Sequence, residues 1–198
     1  MQMKKIDELE PIIRNDVLQV RENNNRKEVD FYLINVIEDI GDYIDFLREV
    51  ENCREGDLVT VHINCLGGDL DATLQIYDVL KSSLAKVEIS IEGACCSGAS
   101  MIMLTGNLWR LTPHCYVMIH SWNGCIGGKW IEIKKRYKYD EEIIEKQFRE
   151  LYKNFLSDKE IQECLDGKDF YFDCNEIEKR LNNYQKEDLE KNESIKKT

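Results

Sequence analysis

The chain reads Ile63-Asn64-Cys65-Leu66-Gly67-Gly68-Asp69 and, further on, Gly93-Ala94-Cys95-Cys96-Ser97-Gly98-Ala99-Ser100. Each segment places glycines between an apolar, β-branched run and a stretch with helical periodicity. The first amides of a helix have no partner within that helix, so such a junction leaves N–H groups available to negative charge. A hydroxyl beside such amides meets two needs of acyl transfer, a nucleophile and an oxyanion site.

Composition excludes several classes of protein. The 198 residues fit a single domain, and 42% apolar residues are enough for a core. The formal charge of −11 argues against nucleic acid as a partner, because phosphate contacts need clustered Lys and Arg. No run is apolar over the length of a membrane span, and residues 1–11 lack the apolar centre of a secretory signal. We therefore expect a cytoplasmic protein with no membrane partner.

The chain has eight cysteines, which in a reducing compartment are expected to be free thiols and mostly small buried residues. No Cys-x-x-Cys pair occurs, and the histidines His62, His114 and His120 do not have zinc-type spacing. The nearest approach to a metal cluster is His114-Cys115 with Cys125, which we interpret as packing of a β-structure. The sequence therefore predicts no metal and no cofactor.

Hydrophobic periodicity predicts alternating strands and helices. The predicted strands are residues 29–37, 58–63, 87–91, 108–111 and 116–119. The predicted helices are residues 42–53, 69–81, 97–105, 129–156 and 158–165. Asp69 is expected at the start of its helix, where an acid suits the helix dipole. This alternation predicts an α/β domain with its site at the carboxyl ends of the strands.

Three segments are distinguished by composition. Residues 1–28 are polar and end in Asn23-Asn24-Asn25-Arg26-Lys27-Glu28, and we interpret them as an N-terminal arm. Residues 29–181 form the predicted domain. Residues 182–198 are highly charged with a single aromatic residue, which predicts a disordered tail.

The candidate catalytic residues are Ser97, His120 and Asp169. A serine needs a base, and His120 directly follows the apolar strand at 116–119, where an imidazole can lean into a cleft. Asp169 enters an aromatic segment and, partly shielded from water, is suited to fix the imidazole tautomer. Taken singly, each residue is better explained as a turn, surface or hydrogen-bonded residue without a catalytic role. Ser100, one helical turn after Ser97, is a rival nucleophile.

The candidate oxyanion donors are the backbone N–H groups of Gly68 and Gly98. Glycine suits both positions because a substrate carbonyl must approach the main chain closely. The alternative is that two glycine turns simply connect strands to helices.

Together these motifs resemble the ClpP family, the proteolytic subunit of the Clp protease. The matching segments are Ile63-Asn64-x-x-Gly67-Gly68 (its oxyanion loop), Gly93 with Ser97 and Gly106 (its nucleophile helix), Val117-Met118-Ile119-His120 (its histidine strand), and Asp169 with Glu176 (its aspartate segment). The likeness runs from about residue 30 to about residue 181.

The resemblance implies a crotonase-like α/β fold of strand–helix units, with a long protruding helix at 129–156 for oligomer contacts. It implies a serine endopeptidase that hydrolyses unfolded polypeptides through an acyl-enzyme inside a homo-oligomer of heptameric rings. It also implies that substrate is held by Gly67 and by main-chain pairing with Ser121, Trp122, Asn123 and Gly124. The chain has no Gly-x-x-x-x-Gly-Lys-Ser/Thr string, so any ATP dependence would come from an unfoldase partner.

The sequence departs from the family pattern at several points. Leu66 stands where proline is usual, Gly98 stands where a larger residue is usual, and the segment 121–128 is shorter. The strings His120-Ser121-Trp122 and Gly127-Gly128-Lys129 resemble a phage-encoded branch of the family. Two other functions remain open: a crotonase-like enzyme acting on acyl-CoA thioesters, which shares the oxyanion glycines, and a non-catalytic ring or scaffold protein.

Overall fold

The computed structural model describes residues 17–23, 25–124 and 127–195. Within these ranges the strands are β1 Leu18–Asn23, β2 Arg26–Ile37, β3 Leu58–Gly68, β4 Lys86–Cys96, β5 Leu108–Leu111, β6 Tyr116–Ile119 and β7 Phe170–Asp173. The helices are α1 Ile44–Glu51, α2 Leu70–Ser82, α3 Gly98–Met103, α4 Trp130–Tyr152, α5 Asp158–Leu165 and α6 Cys174–Ile195, and a 3-10 turn at Ile40–Tyr43 precedes α1. None of the helices in the described ranges is both long and apolar enough to cross a membrane.

The strands form one mixed sheet in the order β1-β2-β3-β4-β6-β7, with β5 also pairing with β4. Neighbours from β2 to β6 are parallel, whereas β1 and β7 run antiparallel to β2 and β6. Helices α1 and α2 make the crossovers that parallel strands require. The central strand β3 is buried on both faces, and residues 59–63 are at most 9% exposed. The mixed α/β architecture agrees with the fold that the sequence predicts.

The parallel strands end side by side. Ile37 pairs with Gly68, Cys65 pairs with Cys95, and Cys96 pairs with Met118. These pairs bring the two glycine junctions of the sequence to one edge of the sheet, as expected from the strand–helix alternation. The Asp69 carboxylate accepts a hydrogen bond from the Ala72 amide at 2.8 Å, which confirms its predicted position as the N-cap of α2.

The ends of the chain differ from the sequence predictions. The arm was predicted over residues 1–28, but within it β1 and the start of β2 form an antiparallel hairpin, with Asn25 at φ 63° in the turn. The rest of the predicted arm, residues 1–16, lies outside the described residues. The segment 182–198 was predicted to be disordered, whereas α6 continues through it to Ile195.

Tyr184 holds α6 on the domain within the segment that was predicted to be disordered. Tyr184 is 6% exposed, its hydroxyl donates a hydrogen bond to the Leu104 carbonyl at 3.1 Å, and its ring meets the Trp109 ring edge-on. Composition alone predicts disorder for this charged segment, because the stabilising contacts are made with residues far away in the sequence.

Helix α4 leaves the domain over its first turns. Trp130 and Tyr137 are 77% and 60% exposed, whereas Phe148 and Tyr152 at the other end are buried. The helix therefore protrudes, as the family resemblance implies, and only its last turns are anchored in the core.

The buried end of α4 contacts the junction between β4 and α3, where Ser97 lies. The Tyr152 and Ser100 hydroxyls are 2.6 Å apart, and the Ser100 hydroxyl donates a hydrogen bond to the Ser97 carbonyl, also at 2.6 Å. Both side chains are fully buried, and burial raises the pKa of Tyr152 far above its ordinary value. The Ser100 hydroxyl thus has a structural role.

We expect mutation of Tyr152 and mutation of Ser100 to destabilise the protein by different amounts. Tyr152→Phe should lower the free energy of unfolding by about 1 kcal/mol, because Ser100 keeps its bond to the Ser97 carbonyl. Ser100→Ala should cost more, about 1–3 kcal/mol, because it leaves a fully buried tyrosine hydroxyl without its partner. Urea denaturation of both variants and of the double mutant measures the coupling; strictly additive effects would contradict the bond.

A second anchor joins the C-terminal elements. The Arg180 guanidinium on α6 lies 2.6 Å from a Glu160 carboxylate oxygen on α5 and 4.3 Å from the ring centroid of Phe172 on β7. Both charged side chains are about four-fifths buried. The Arg180 hydrogen bond holds the pKa of Glu160 at about 2, with help from Ser157 at the start of α5.

This ion pair predicts a stability loss in acid. The Glu160 pKa is lower in the folded state than in the unfolded state, so its contribution is complete above about pH 5 and is lost as the pH falls towards 2. The loss should be on the order of 3 kcal/mol. Chemical denaturation across this pH range measures the free energy of unfolding, and Glu160→Gln should reduce its dependence on pH. Glu150 is exposed, so the control variant Glu150→Gln should leave that dependence unchanged.

Candidate active site

Ser97 is held at the tight junction between β4 and α3. Its backbone has φ 52° and ψ −124°, a conformation that costs a non-glycine residue about 1–3 kcal/mol. The Ser97 amide donates a hydrogen bond to the Met118 carbonyl at 2.8 Å, and its own carbonyl accepts the bond from Ser100. The Ser97 hydroxyl makes no capping bond to α3 and is half-buried. It is therefore available for chemistry, unlike the Ser100 hydroxyl.

Two backbone amides face the same region. Gly98 is the first residue of α3, and no described residue accepts a hydrogen bond from its N–H group. At the end of β3, the Asp69 amide donates to the Ile37 carbonyl at 2.9 Å. Because successive amides of a strand alternate in direction, we expect the Gly68 N–H to point away from β2. Gly68 and Gly98 both line the cleft that contains Ser97.

Gly67 allows this close approach. A Cβ atom at Gly67 would lie 2.6 Å from the Ser97 Cβ, 2.7 Å from the Cys96 carbonyl oxygen and 2.9 Å from the Gly98 amide nitrogen. Its φ of +89° also favours glycine. Gly67 itself is buried and does not line the cleft, and its amide donates to the Cys65 sulfur at 3.4 Å. It therefore lies beneath the site rather than at its surface.

The unusual glycine at position 98 has a packing reason. A Cβ atom at Gly98 would lie 2.4 Å from the Thr73 hydroxyl oxygen on α2. Thr73 is fully buried and donates a hydrogen bond to the Asp69 carbonyl at 2.6 Å. The glycine thus lets α2 and α3 pack closely at the predicted oxyanion site.

Ser97 and His120 line one cleft of about 1280 Å³. The cleft is also lined by Gly68 and Gly98 and by the segment predicted to hold substrate, which is Ser121, Trp122, Asn123 and Gly124. It is also lined by α4 from Glu132 to Gln147, including Ile133, Tyr137 and Ile144. The apolar stripe of α4 is visible in the sequence, but its place in the cleft of Ser97 is not.

Asp169 is brought near His120 by the backbone but is not in contact with it. The antiparallel β6–β7 register ends with Ile119 opposite Phe170, and one further step places His120 opposite Asp169. The Asp169 side chain is exposed and does not line the cleft. Among the described residues, no hydrogen bond joins the Ser97 hydroxyl, the His120 ring and the Asp169 carboxylate. The structure therefore brings Ser97 and His120 to one cleft and leaves Asp169 beside it.

The thiols around Ser97 are not alternative nucleophiles. Cys65, Cys95 and Cys96 are at most 2% exposed, and burial raises the pKa of each. They stay protonated at neutral pH and cannot reach a substrate. Across the described ranges, no three His, Cys, Asp or Glu side chains form a group that could hold a metal ion. Cys125, considered above with His114 and Cys115, lies outside those ranges.

Comparisons with known proteins agree with this geometry. Residues 36–179 match the Clp protease family, a span that includes both glycine junctions, His120 and Asp169. One relative is the ATP-dependent Clp protease proteolytic subunit 1 of Rhodopirellula baltica, 29% identical over 101 residues, which are 48% of this chain and 44% of the relative. Another is the ATP-dependent Clp protease proteolytic subunit of Mesostigma viride, 33% identical over 92 residues, which are 46% of this chain and 38% of the relative.

The aligned region therefore spans less than half the length of either curated relative. The family match itself runs from the last two residues of β2 through β7 and includes both strand–helix junctions, and it covers most of the chain. On this evidence the chain belongs to the Clp protease family.

Proposed function

We propose that the chain is a serine peptidase that hydrolyses peptide bonds through an acyl-enzyme. The observation that carries the proposal is the position of Ser97, whose available hydroxyl shares a cleft with the His120 imidazole and lies at the junction bearing the Gly98 amide. A nucleophile, a base and oxyanion donors within one cleft are the minimum for acyl transfer.

In the proposed reaction the Ser97 oxygen attacks the substrate carbonyl while His120 takes the hydroxyl proton. The amides of Gly68 and Gly98 hold the oxyanion of the tetrahedral intermediate. His120 then gives its proton to the leaving amine, and water attacks the acyl-enzyme by the same route in reverse.

Asp169 has the role of stabilising the His120 imidazolium in this proposal. The β6–β7 register ends at Ile119 opposite Phe170, and its extension by one step would set His120 opposite Asp169. Rotation of the two side chains, rather than refolding, would then bring them into contact. Catalytic hydrogen bonds are commonly loose in a free enzyme and tighten when substrate binds. Assembly with further copies of the chain would act in the same direction.

The substrate of the proposed enzyme is an unfolded polypeptide. The segment Ser121 to Gly124 directly follows β6 and lines the cleft, where it can pair with an extended peptide main chain. We also propose a ring-forming homo-oligomer, supported by the exposed aromatic residues on α4. The relatives are named as proteolytic subunits of ATP-dependent proteases, which supports an unfoldase partner for this chain too.

A non-catalytic ring protein is the second candidate. The observation that favours it is the missing contact between His120 and Asp169 in the free chain. Reactivity of Ser97 separates the two, because a scaffold has no activated serine.

We expect a fluorophosphonate to form an adduct at Ser97, located by mass spectrometry of the digested protein. Ser97→Ala should remove both the adduct and the hydrolysis of a fluorogenic peptide, without a change in folding, because the half-buried hydroxyl makes no structural bond. Ser82→Ala, on the exposed end of α2, is the control and should retain both. Full peptidase activity in Ser97→Ala would exclude this nucleophile.

A methyl group at Gly67 should disable the site selectively. Gly67→Ala places a Cβ atom against Ser97 and the Gly98 amide, and we expect kcat/KM to fall about a hundredfold or more. Gly56→Ala is the matched control, since its φ is +97° but no atom lies within 4 Å of the added Cβ. Gly56→Ala carries the backbone strain without the clash, so we expect only Gly67→Ala to lose activity and its free energy of unfolding to fall further than that of Gly56→Ala. Equal losses of activity would mean that backbone strain, not the clash, is responsible.

A further inference from the structure

The ladder that holds His120 and Asp169 has a pair of cysteines at its other end. Strands β6 and β7 pair from Tyr116 opposite Asp173 to Ile119 opposite Phe170. One step beyond the first pair, Cys115 directly precedes β6, and Cys174 directly follows β7 as the first residue of α6. The two strands are thus flanked by a predicted catalytic pair at one end and by two thiols at the other.

The two thiols are neighbours. The Cys174 side chain helps to raise the pKa of the Cys115 thiol, and both residues line a cavity of about 640 Å³ together with His114. Their chain neighbours Tyr116 and Asp173 are paired across the antiparallel ladder, where opposed Cα atoms are about 4.5–5.5 Å apart. Disulfides span Cα distances of about 4.4–6.8 Å, so a bond between these sulfurs needs little backbone movement.

The two cysteines differ in their access to solvent. Cys115 is 3% exposed, whereas Cys174 is only partly buried and opens on the cavity. Burial and the neighbouring Cys174 raise the pKa of Cys115 to about 11, so Cys115 keeps its proton at neutral pH. An oxidant that enters the cavity therefore meets Cys174 first, and Cys115 is placed to react second.

An opposed cysteine pair elsewhere in the sheet shows why access matters. Cys65 and Cys95 are partners in the β3–β4 register, but both are fully buried. No oxidant can reach either sulfur while the protein is folded.

We propose that Cys115 and Cys174 form a reversible disulfide in response to hydrogen peroxide. The Cys174 thiolate attacks one peroxide oxygen, which gives a sulfenic acid and, after protonation of the departing hydroxide, water. The Cys115 sulfur then attacks the Cys174 sulfur, the S–O bond breaks, and a second water leaves. In total two thiols lose two protons and two electrons, and one peroxide becomes two waters.

The disulfide has a consequence for the site, and this part rests on the proposed function. Strand β7 has four residues and pairs only with β6 among the described strands. A covalent bond at one end of this short ladder would fix the register whose extension sets Asp169 opposite His120. Oxidation should therefore preserve peptidase activity at denaturant concentrations that inactivate the reduced protein.

The experiment treats the purified full chain with hydrogen peroxide, blocks the remaining thiols by alkylation and maps the digest by mass spectrometry. We expect a peptide linked through Cys115 and Cys174, lost on reduction with dithiothreitol, and a thermal midpoint higher by about 5 °C or more in the oxidised protein. Cys174→Ser should abolish the link and the shift. Cys53→Ala, which removes a buried thiol elsewhere, should retain both.

Alkylation of both cysteines after oxidation, or a link from Cys174 to any other cysteine, would overturn the proposal. Mass spectrometry detects the disulfide whether or not the protein is an active peptidase. A linked protein without peptidase activity would refute the proposed function and support the disulfide. A labelled Ser97 with no link would do the reverse.

Discussion

Parallel pairing among β3, β4 and β6 is the constraint on which the site depends. It aligns the ends of three strands, so that Ser97 leaves β4 beside the end of β3 and its amide bonds to Met118 of β6. Parallel strands must be joined by crossovers, and each crossover helix begins at the edge where the strands end. The alignment therefore gathers helix amides and a hydroxyl at one point, from segments that are far apart in sequence.

The strained backbone conformation of Ser97 is maintained because several neighbouring residues hold it in place. Its amide bonds to Met118, its carbonyl accepts from Ser100, and Gly67 lies directly beneath its Cβ. Tyr152 holds Ser100 in turn and ties this turn to the buried end of α4. A conformation that costs energy in isolation is thus stabilised by packing of the whole domain.

The two halves of the site are supported unequally. Ser97 rests on central strands with long ladders, whereas Asp169 precedes a four-residue edge strand that is held from outside by Arg180 packed on Phe172. Short edge elements with few ladder bonds are the first to shift locally. This difference gives a physical reason why Ser97 and His120 share the cleft while Asp169 lies beside it.

The sequence by itself determined the order of strands and helices from β2 to α5, the cap at Asp69 and the two glycine junctions, because periodicity and turn chemistry are local properties. Only the tertiary structure separated Ser97 from Ser100 and put Cys174 within reach of Cys115. It also showed that α6 extends beyond Tyr184. In each of these cases the outcome depends on burial against residues distant in the chain, and a local pattern carries no information about which surface will cover it.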